Sequence, residues 1–128
     1  MVVTQIDKPL AVRSSGLLED SYSEPFAGVY RTYMLPNNAN DTSIRVQQLI
    51  TAVKLVFASV YTKRARLYIN NLNHRISEEK MAVIIQEITG SYFGDKYFYP
   101  HISGVAQSYN YYPVSDLEHE DGVVSIAA

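Results

Sequence analysis

The strongest structural signal in the chain is a helical pattern between Ser43 and Tyr61. Apolar side chains recur there at steps of three and four residues, at Val46, Leu49, Ile50, Val53, Val56, Phe57 and Val60. This spacing is the period of one buried face of an α-helix. Asp41 or Thr42 is positioned to cap its first turn. The rest of the chain therefore has to supply a layer on which this apolar face packs.

Most of the remaining elements are predicted to be strands. Apolar or alternating runs indicate strands at Leu10–Val12, Val29–Leu35, Lys80–Ile88, Lys96–Tyr99, Gly104–Tyr109 and Val123–Ala127, with a turn region at 90–95. Thr62 to Leu72 repeats the helical period more briefly. Because Met81 to Ile85 is apolar without interruption, we expect Lys80–Ile88 to be a buried central strand. This order of elements predicts an α+β fold, with two helices packed on a mixed or antiparallel sheet.

Composition restricts the class of protein. A length of 128 residues, with 47% hydrophobic and 19% charged residues, predicts one globular domain over residues 1–128. No apolar run approaches the roughly 20 residues of a membrane span, so we expect no membrane partner. A net charge of -2 argues against a non-specific nucleic-acid binder. The absence of cysteine excludes disulfides and thiolate chemistry and fits a reducing, cytoplasmic location.

The segment from Pro9 to Gly28 carries the clearest functional pattern. Its apolar strand ends at Arg13, and Ser14, Ser15 and Gly16 then interrupt the strand. Free backbone N–H groups, hydroxyl donors, a glycine and a fixed cation are the groups that bind an anion such as phosphate. The same residues also fit an ordinary strand-to-loop corner with Arg13 in a salt bridge. Neither the P-loop spacing nor the dinucleotide-binding spacing is present.

Residues 12–20 (VRSSGLLED) and 25–28 (PFAG) resemble the loop of the pyruvate phosphate dikinase and phosphoenolpyruvate synthase family. That loop typically reads VRSS, then ED, then SFAG, and Pro25 replaces its serine here. The resemblance implies part of an ATP-grasp-like nucleotide-binding domain, whose phosphate-binding residues are Arg13, Ser14, Ser15 and Gly16. It implies a loop that closes over the phosphates through Glu19, Asp20, Phe26, Ala27 and Gly28. Alternatively, Glu19 and Asp20 stabilise the loop itself through N–H groups or Arg31.

Two further segments resemble the same family. Gln86, Glu87 and Ile88 match the hinge after a buried strand, where main-chain groups pair with the adenine edge. An apolar slot with one donor and one acceptor suits a purine. From the residues alone, Gln86 and Glu87 are simply polar residues that end a strand. Ser103 to Ser108 resembles the family strand SGVxFS, with Gln107 where an aromatic residue is commoner, and a core strand is the favoured interpretation.

Neither a metal site nor a catalytic residue is predicted within this chain. Family members work through a phosphohistidine in a separate domain, and His74, His101 and His119 lie in loops without its motif. The acidic run Glu118–Asp121 is interpreted as a solvated turn, because consecutive loop residues rarely converge on one ion. The family's Mg²⁺ ligands and a phosphate-binding lysine are expected outside this chain, so we expect no turnover by the chain alone.

The resemblance therefore implies the ATP-binding segment of a phosphotransferase. The parent enzyme would use ATP to phosphorylate a histidine in another domain and then pyruvate or a similar acceptor. Expected partners are nucleotide and the parent's remaining domains, with self-association through exposed sheet edges. Two alternatives stay open. One is a non-catalytic nucleotide-binding regulatory module, and the other is a structural or interaction domain that docks a partner through its tyrosine-rich end.

Overall fold

The computed structural model describes residues 2–19, 28–71 and 80–128. The chain divides into two compact units, Met1–Ile88 and Thr89–Ala128, and each is described by itself. Its helices and antiparallel sheets confirm the α+β class predicted from the sequence. Asp20, Phe26, Ala27 and His74 lie outside the described residues.

The first unit is built on a three-stranded antiparallel sheet. Its strands are β1 (Leu10–Gly16), β2 (Tyr33–Leu35) and β3 (Met81–Glu87), in the order β2-β1-β3. Val12 lies opposite Tyr33 on one side and Ile85 on the other. Successive side chains of a strand point to opposite faces, so this register determines which residues share a face.

Helix α2 (Thr42–Ala58) covers one face of this sheet. Asp41 caps it, since its carboxylate accepts a hydrogen bond from the Ser43 N–H at 2.8 Å. Ala52 and Val56 are buried against Val12 of β1. The helix was therefore predicted correctly, although it ends three residues early and Ser59–Tyr61 forms a 3₁₀ turn. The predicted apolar face was too wide, because Ile50 and Phe57 are 42% and 46% exposed.

A second apolar cluster forms where helix α3 (Lys63–Asn71) meets the loop after β1. Ala65 and Ile69 of α3 are fully buried there. The cluster also contains Leu18, Val29, Tyr30 and Val60. Burial of these side chains fixes the start of α3 close to the segment that leads into β2.

Arg45 and Asn37 join α2 to the N-terminal segment, which contains a short helix, α1 (Val2–Gln5), that the sequence did not predict. The Arg45 guanidinium donates hydrogen bonds to the Val3 and Ile6 carbonyls and to Asn37 Oδ1, the last at 2.8 Å. Asn37 is 4% exposed, adopts a positive φ of 53°, and donates to the carbonyls of Ile6 and Lys8. These bonds satisfy polar groups that would otherwise be costly to bury.

Three predictions about the strands of the first unit are corrected by the structure. The strand predicted at Leu10–Val12 is not interrupted at Ser14, because β1 continues to Gly16 and its last three residues pair with β3. The strand predicted at Val29–Leu35 covers only Tyr33–Leu35. The strand predicted at Lys80–Ile88 forms as β3, but it is an edge strand rather than a buried central one. Ile84 and Ile85 are 41% and 38% exposed, because no described strand pairs with the outer edge of β3 and its two faces are only partly covered.

The helical segment Thr42–Tyr61 is long and apolar enough, by length and composition, to cross a membrane. It has 20 residues and a mean hydropathy of 1.2. The expectation that no segment approaches the length of a membrane span is therefore wrong. A core helix passes the same test, and α2 packs on the sheet through Ala52 and Val56. The absence of a membrane partner stays a prediction.

The second unit consists of two β-hairpins. Strands β4 (Ser91–Phe93) and β5 (Tyr97–Tyr99) form the first, and β6 (Ser103–Gln107) and β7 (Val123–Ala127) form the second. Phe93 stacks on Tyr99 with ring centroids 4.0 Å apart. Strands β5, β6 and β7 confirm predicted strands, whereas β4 lies in the predicted turn region. All residues of β6 and β7 are exposed within this unit. The interpretation of Ser103 to Ser108 as a core strand is therefore wrong for the unit by itself, because a hairpin of two strands leaves both of its faces uncovered.

Candidate functional site

A cleft of about 630 Å³ lies on the sheet face opposite α2. Alternation along β1 places Ala11, Arg13 and Ser15 on this face, since Val12 packs against α2. The lining residues are Ala11, Arg13, Ser14, Ser15, Glu19, Gly28, Tyr30, Thr32, Met34, Ile84 and Gln86. The cleft therefore collects residues from all three strands and from both ends of the loop after β1.

The strand register places the predicted phosphate and hinge residues on one surface. Ala11 pairs with Met34 of β2 and with Gln86 of β3, so these side chains form one row. Arg13 pairs with Ile84 and forms the next row, two residues along β1. Diagonal neighbours on a sheet face are about 7–8 Å apart. The Arg13 cation and the Gln86 amide are thus spaced to contact different parts of one ligand.

Glu19 organises the turn that follows β1. Its Oε1 accepts a hydrogen bond from the Ser14 hydroxyl at 2.9 Å, and its Oε2 accepts one from the Gly16 N–H at 2.8 Å. The Glu19 N–H returns a bond to the Gly16 carbonyl at 3.1 Å. These are the loop-stabilising contacts through N–H groups that the residues alone suggested, without Arg31. Closure of the loop over a ligand through Glu19 stays a prediction.

The contacts of Glu19 separate the four predicted phosphate-binding residues into two pairs. Ser14 and Gly16 already give one donor each to Glu19. Arg13 is exposed, and its side chain makes neither an ion pair nor a hydrogen bond within residues 2–19, 28–71 and 80–128. Ser15 is half-buried on the same face as Arg13. Of these four residues, all of which belong to β1, Arg13 and Ser15 therefore have the side chains best placed for an incoming anion.

Only one of the three predicted hinge side chains lines the cleft. Gln86 does so, whereas Glu87 lies on the opposite face by alternation. The Glu87 carboxylate is 3.0 Å from the Lys8 ammonium group. The Ile88 N–H donates to the Pro9 carbonyl at 2.9 Å, so this donor is already used within the unit. The assignment of an adenine contact to these residues stays a prediction.

Several other candidates belong to the second unit. Ser103, at the start of β6, and Ser108, just after it, lie in the second unit. His119 Nδ1 is 2.6 Å from the Asn110 carbonyl oxygen, and its ring stacks on Tyr109. The acidic run is a 3₁₀ turn whose Glu118 N–H donates to Asp121 Oδ2 at 2.8 Å. Among the described residues there is no group of three or more metal-ligating side chains.

Sequence reasoning missed five lining residues, which are Ala11, Tyr30, Thr32, Met34 and Ile84. The signal for Ile84 is its distance of two residues from Gln86, which puts both on one strand face. Met34 could not be assigned without knowing that it lies opposite Ala11. These five residues give the cleft apolar and hydroxyl surface beside the Arg13 cation.

The pyruvate phosphate dikinase, AMP/ATP-binding domain family matches residues 2–128. The chain belongs to this family. It is 30% identical to the uncharacterized phosphotransferase YvkC of Bacillus subtilis over 94% of the chain and 12% of that protein. It is 33% identical to a phosphoenolpyruvate synthase of Deinococcus radiodurans over 78% of the chain and 11% of that enzyme. It is 32% identical to a phosphoenolpyruvate synthase of Aeropyrum pernix over 67% of the chain and 10% of that enzyme.

The chain thus spans about a tenth of the length of the curated relatives that it matches. Membership of the AMP/ATP-binding domain family confirms the resemblance seen in VRSSGLLED and PFAG. The Arg13 cleft, at the end of the VRSS strand, is therefore the candidate ligand site of a member of this family.

Proposed function

We propose that this chain is a nucleotide-binding segment of a phosphotransferase related to phosphoenolpyruvate synthase and pyruvate phosphate dikinase. Family membership supports the nucleotide. The observation that carries the proposal is the shared sheet face of Arg13 and Gln86, beside a loop that Glu19 holds in place. A cation, a hydroxyl group and an amide on one apolar surface suit a ligand with an anionic end and a planar polar end.

The proposed binding mode follows from the lining residues. Arg13 pairs with phosphate oxygens through its guanidinium group, and the Ser15 hydroxyl donates to the same anion. The base lies along the row of Met34 and Ala11, whose apolar surface excludes water, and the Gln86 amide supplies donor and acceptor atoms. The Glu19 contacts fix the backbone of residues 14–16, so the loop loses little conformational entropy on binding.

The described lining does not fit a magnesium site by itself. Glu19 is its only carboxylate, and both oxygens of Glu19 accept hydrogen bonds from the loop. Oxygen ligands for Mg²⁺ therefore have to come from other residues. We accordingly propose that this segment binds the nucleotide. In the same proposal, the parent protein has the ATP-grasp architecture, phosphorylates a histidine and transfers the phosphoryl group to pyruvate or a similar acceptor.

The test is a titration of the 128-residue chain with ATP, in which binding is measured by calorimetry and by amide chemical shifts. We expect saturable binding, with shifts at Arg13, Ser15 and Gln86. Arg13→Ala should weaken binding by about 10- to 100-fold, since hydrogen bonds to charged groups contribute roughly 1.5–3 kcal/mol. Lys54→Ala is the matched control, because Lys54 is an exposed cation of α2 that does not line the cleft.

Two outcomes would contradict the proposal. A folded chain that shows no binding at millimolar ATP would reject the nucleotide site and favour the interaction domain with exposed tyrosines such as Tyr97 and Tyr112. Equal ATP affinities for the Arg13→Ala variant and the unmodified chain would reject the assignment of the phosphate end. Detection of ATP turnover by the parent protein would then separate the phosphotransferase from a non-catalytic regulatory module.

A further inference from the structure

A second, smaller cleft adjoins the Arg13 cleft. Its volume is about 340 Å³, and it is lined by residues 28–33 together with Thr62 and Arg64. Gly28, Tyr30 and Thr32 line both clefts, so the two are continuous along this segment. Arg31 and Arg64 are the charged residues of the second cleft, and no carboxylate from the described residues lines it.

The stretch of chain that lines the second cleft, residues 28–71, has a net positive charge although the protein as a whole is slightly acidic. Residues 28–71 contain six cationic residues and one acidic residue, Asp41, which gives 6 − 1 = +5 against a total of -2. The Asp41 carboxylate already accepts a hydrogen bond as the N-cap of α2. Arg31 and Arg64 are both exposed, and neither forms an ion pair within the described parts of the chain. Their positive charge is therefore available to a ligand.

The backbone around the two arginines is held in a fixed arrangement. The Arg31 N–H donates to the Ser59 hydroxyl at 3.3 Å, and that hydroxyl donates to the Val56 carbonyl at 2.6 Å. Ser59 is 2% exposed. Thr62 Oγ1 donates to the Ser59 carbonyl at 2.8 Å and accepts from the Ala65 N–H at 3.3 Å. The segment before β2 is thus anchored to the corner between α2 and α3.

Arg64 stands in the first turn of α3, where a cation opposes the helix dipole. Lys63 precedes it, and there is no acidic residue in that turn. Helix stability therefore does not account for this charge pattern. The first N–H groups of a helix lack partners within the helix and point in the direction that an anion favours. In α3 the Ala65 N–H already donates to Thr62 Oγ1, so the N–H groups of Lys63 and Arg64 are the ones that can face an anion. Arg31 adds a second guanidinium from another element.

We propose that Arg31 and Arg64, with the first turn of α3, form a second anion subsite that binds a phosphate group. Two guanidinium groups on separate, anchored elements bind phosphate oxygens in a fixed geometry. The phosphate belongs either to the polyphosphate end of the nucleotide in the Arg13 cleft or to a second phosphorylated ligand. The first of these sources rests on the proposed function, whereas the subsite itself does not.

The experiment is an amide chemical-shift titration of the 128-residue chain with inorganic pyrophosphate. We expect saturable shifts at Arg31, Arg64 and Gly28, and about a tenfold weaker affinity in the double variant Arg31→Gln, Arg64→Gln. Lys54→Gln removes one positive charge from the neighbouring helix α2, outside the cleft, and should change the affinity less than about twofold. Arg64→Lys keeps the charge but loses the planar fork, and it should weaken binding by an intermediate factor.

Each result bears on the subsite separately from the nucleotide proposal. Equal pyrophosphate affinity for the double variant, or an equal loss for Lys54→Gln, would overturn the subsite. Pyrophosphate binding that survives Arg13→Ala supports it, even where ATP does not bind. If ATP binds and the amide shifts of Arg64 and Arg13 give the same dissociation constant, a single nucleotide spans both clefts. If ATP shifts only the residues of the Arg13 cleft, the subsite is assigned to a second phosphorylated ligand.

Discussion

Replacing Glu19 by alanine should destabilise the first unit by an amount set by two hydrogen bonds. The carboxylate accepts one from the Ser14 hydroxyl and one from the Gly16 N–H, at 2.9 and 2.8 Å. Hydrogen bonds to ionised groups contribute roughly 1.5–3 kcal/mol each when buried. Glu19 is half-buried, so solvent screening reduces each to about 1 kcal/mol, which gives about 2 kcal/mol for the pair.

The assay is thermal unfolding followed by circular dichroism. For a unit of this size, a loss of about 2 kcal/mol corresponds to a decrease in Tm of about 10 °C. Glu19→Gln retains one acceptor oxygen and should lose about half as much. Glu87→Gln is the control for removal of a carboxylate, because Glu87 and Lys8 form an exposed pair worth at most about 1 kcal/mol. A Tm for Glu19→Ala within about 2 °C of the unmodified chain would refute this account of the loop.

Two further predictions concern the N-terminal end of α2. Arg45→Met should lower the free energy of unfolding by about 3 kcal/mol in denaturant titrations, because it removes three hydrogen bonds made by a largely buried guanidinium group. Asp7→Asn is the control, since the exposed Asp7 carboxylate is 3.9 Å from Arg45, and it should have almost no effect. Equal losses for the two variants would contradict the prediction. Hydrogen bonds from the Ser43 hydroxyl and N–H lower the pKa of Asp41, so its contribution to stability is present above its unfolded pKa and lost as pH falls through the folded pKa. Acid titration of Tm should show a smaller decrease for Asp41→Asn, and identical profiles would contradict this prediction.

Helices α2 and α3 could be predicted because their signal is local. The period of three and four residues that identified α2 depends only on neighbours within one helix. The burial of β3 was overestimated for the opposite reason. An uninterrupted run such as Met81–Ile85 indicates that both strand faces are apolar, but the sequence does not specify how many strands pair with it or what covers each face.

The candidate site shows the same division between local and long-range information. Arg13 was identified from its own loop, whose residue types form a recognisable pattern. The pairing of Arg13 with Ile84, which places Gln86 on the same face, depends on the register of two strands about 70 residues apart. A shift of one residue would have put Glu87 into the cleft instead. The choice of Gly16 and Ser14 as the partners of Glu19 likewise follows from the turn geometry rather than from residue type.

The bond between Ile88 and Pro9 has a mechanical consequence. It lies at one end of the antiparallel β1–β3 ladder, where the chain enters β1 and leaves β3. A pulling force applied at these two points acts across the ladder, so its hydrogen bonds would break one after another rather than together. Sequential rupture of this kind needs little force. Tension on Thr89 would therefore open the sheet from the Ile88 end, next to Gln86, before it disturbed the loop at Glu19.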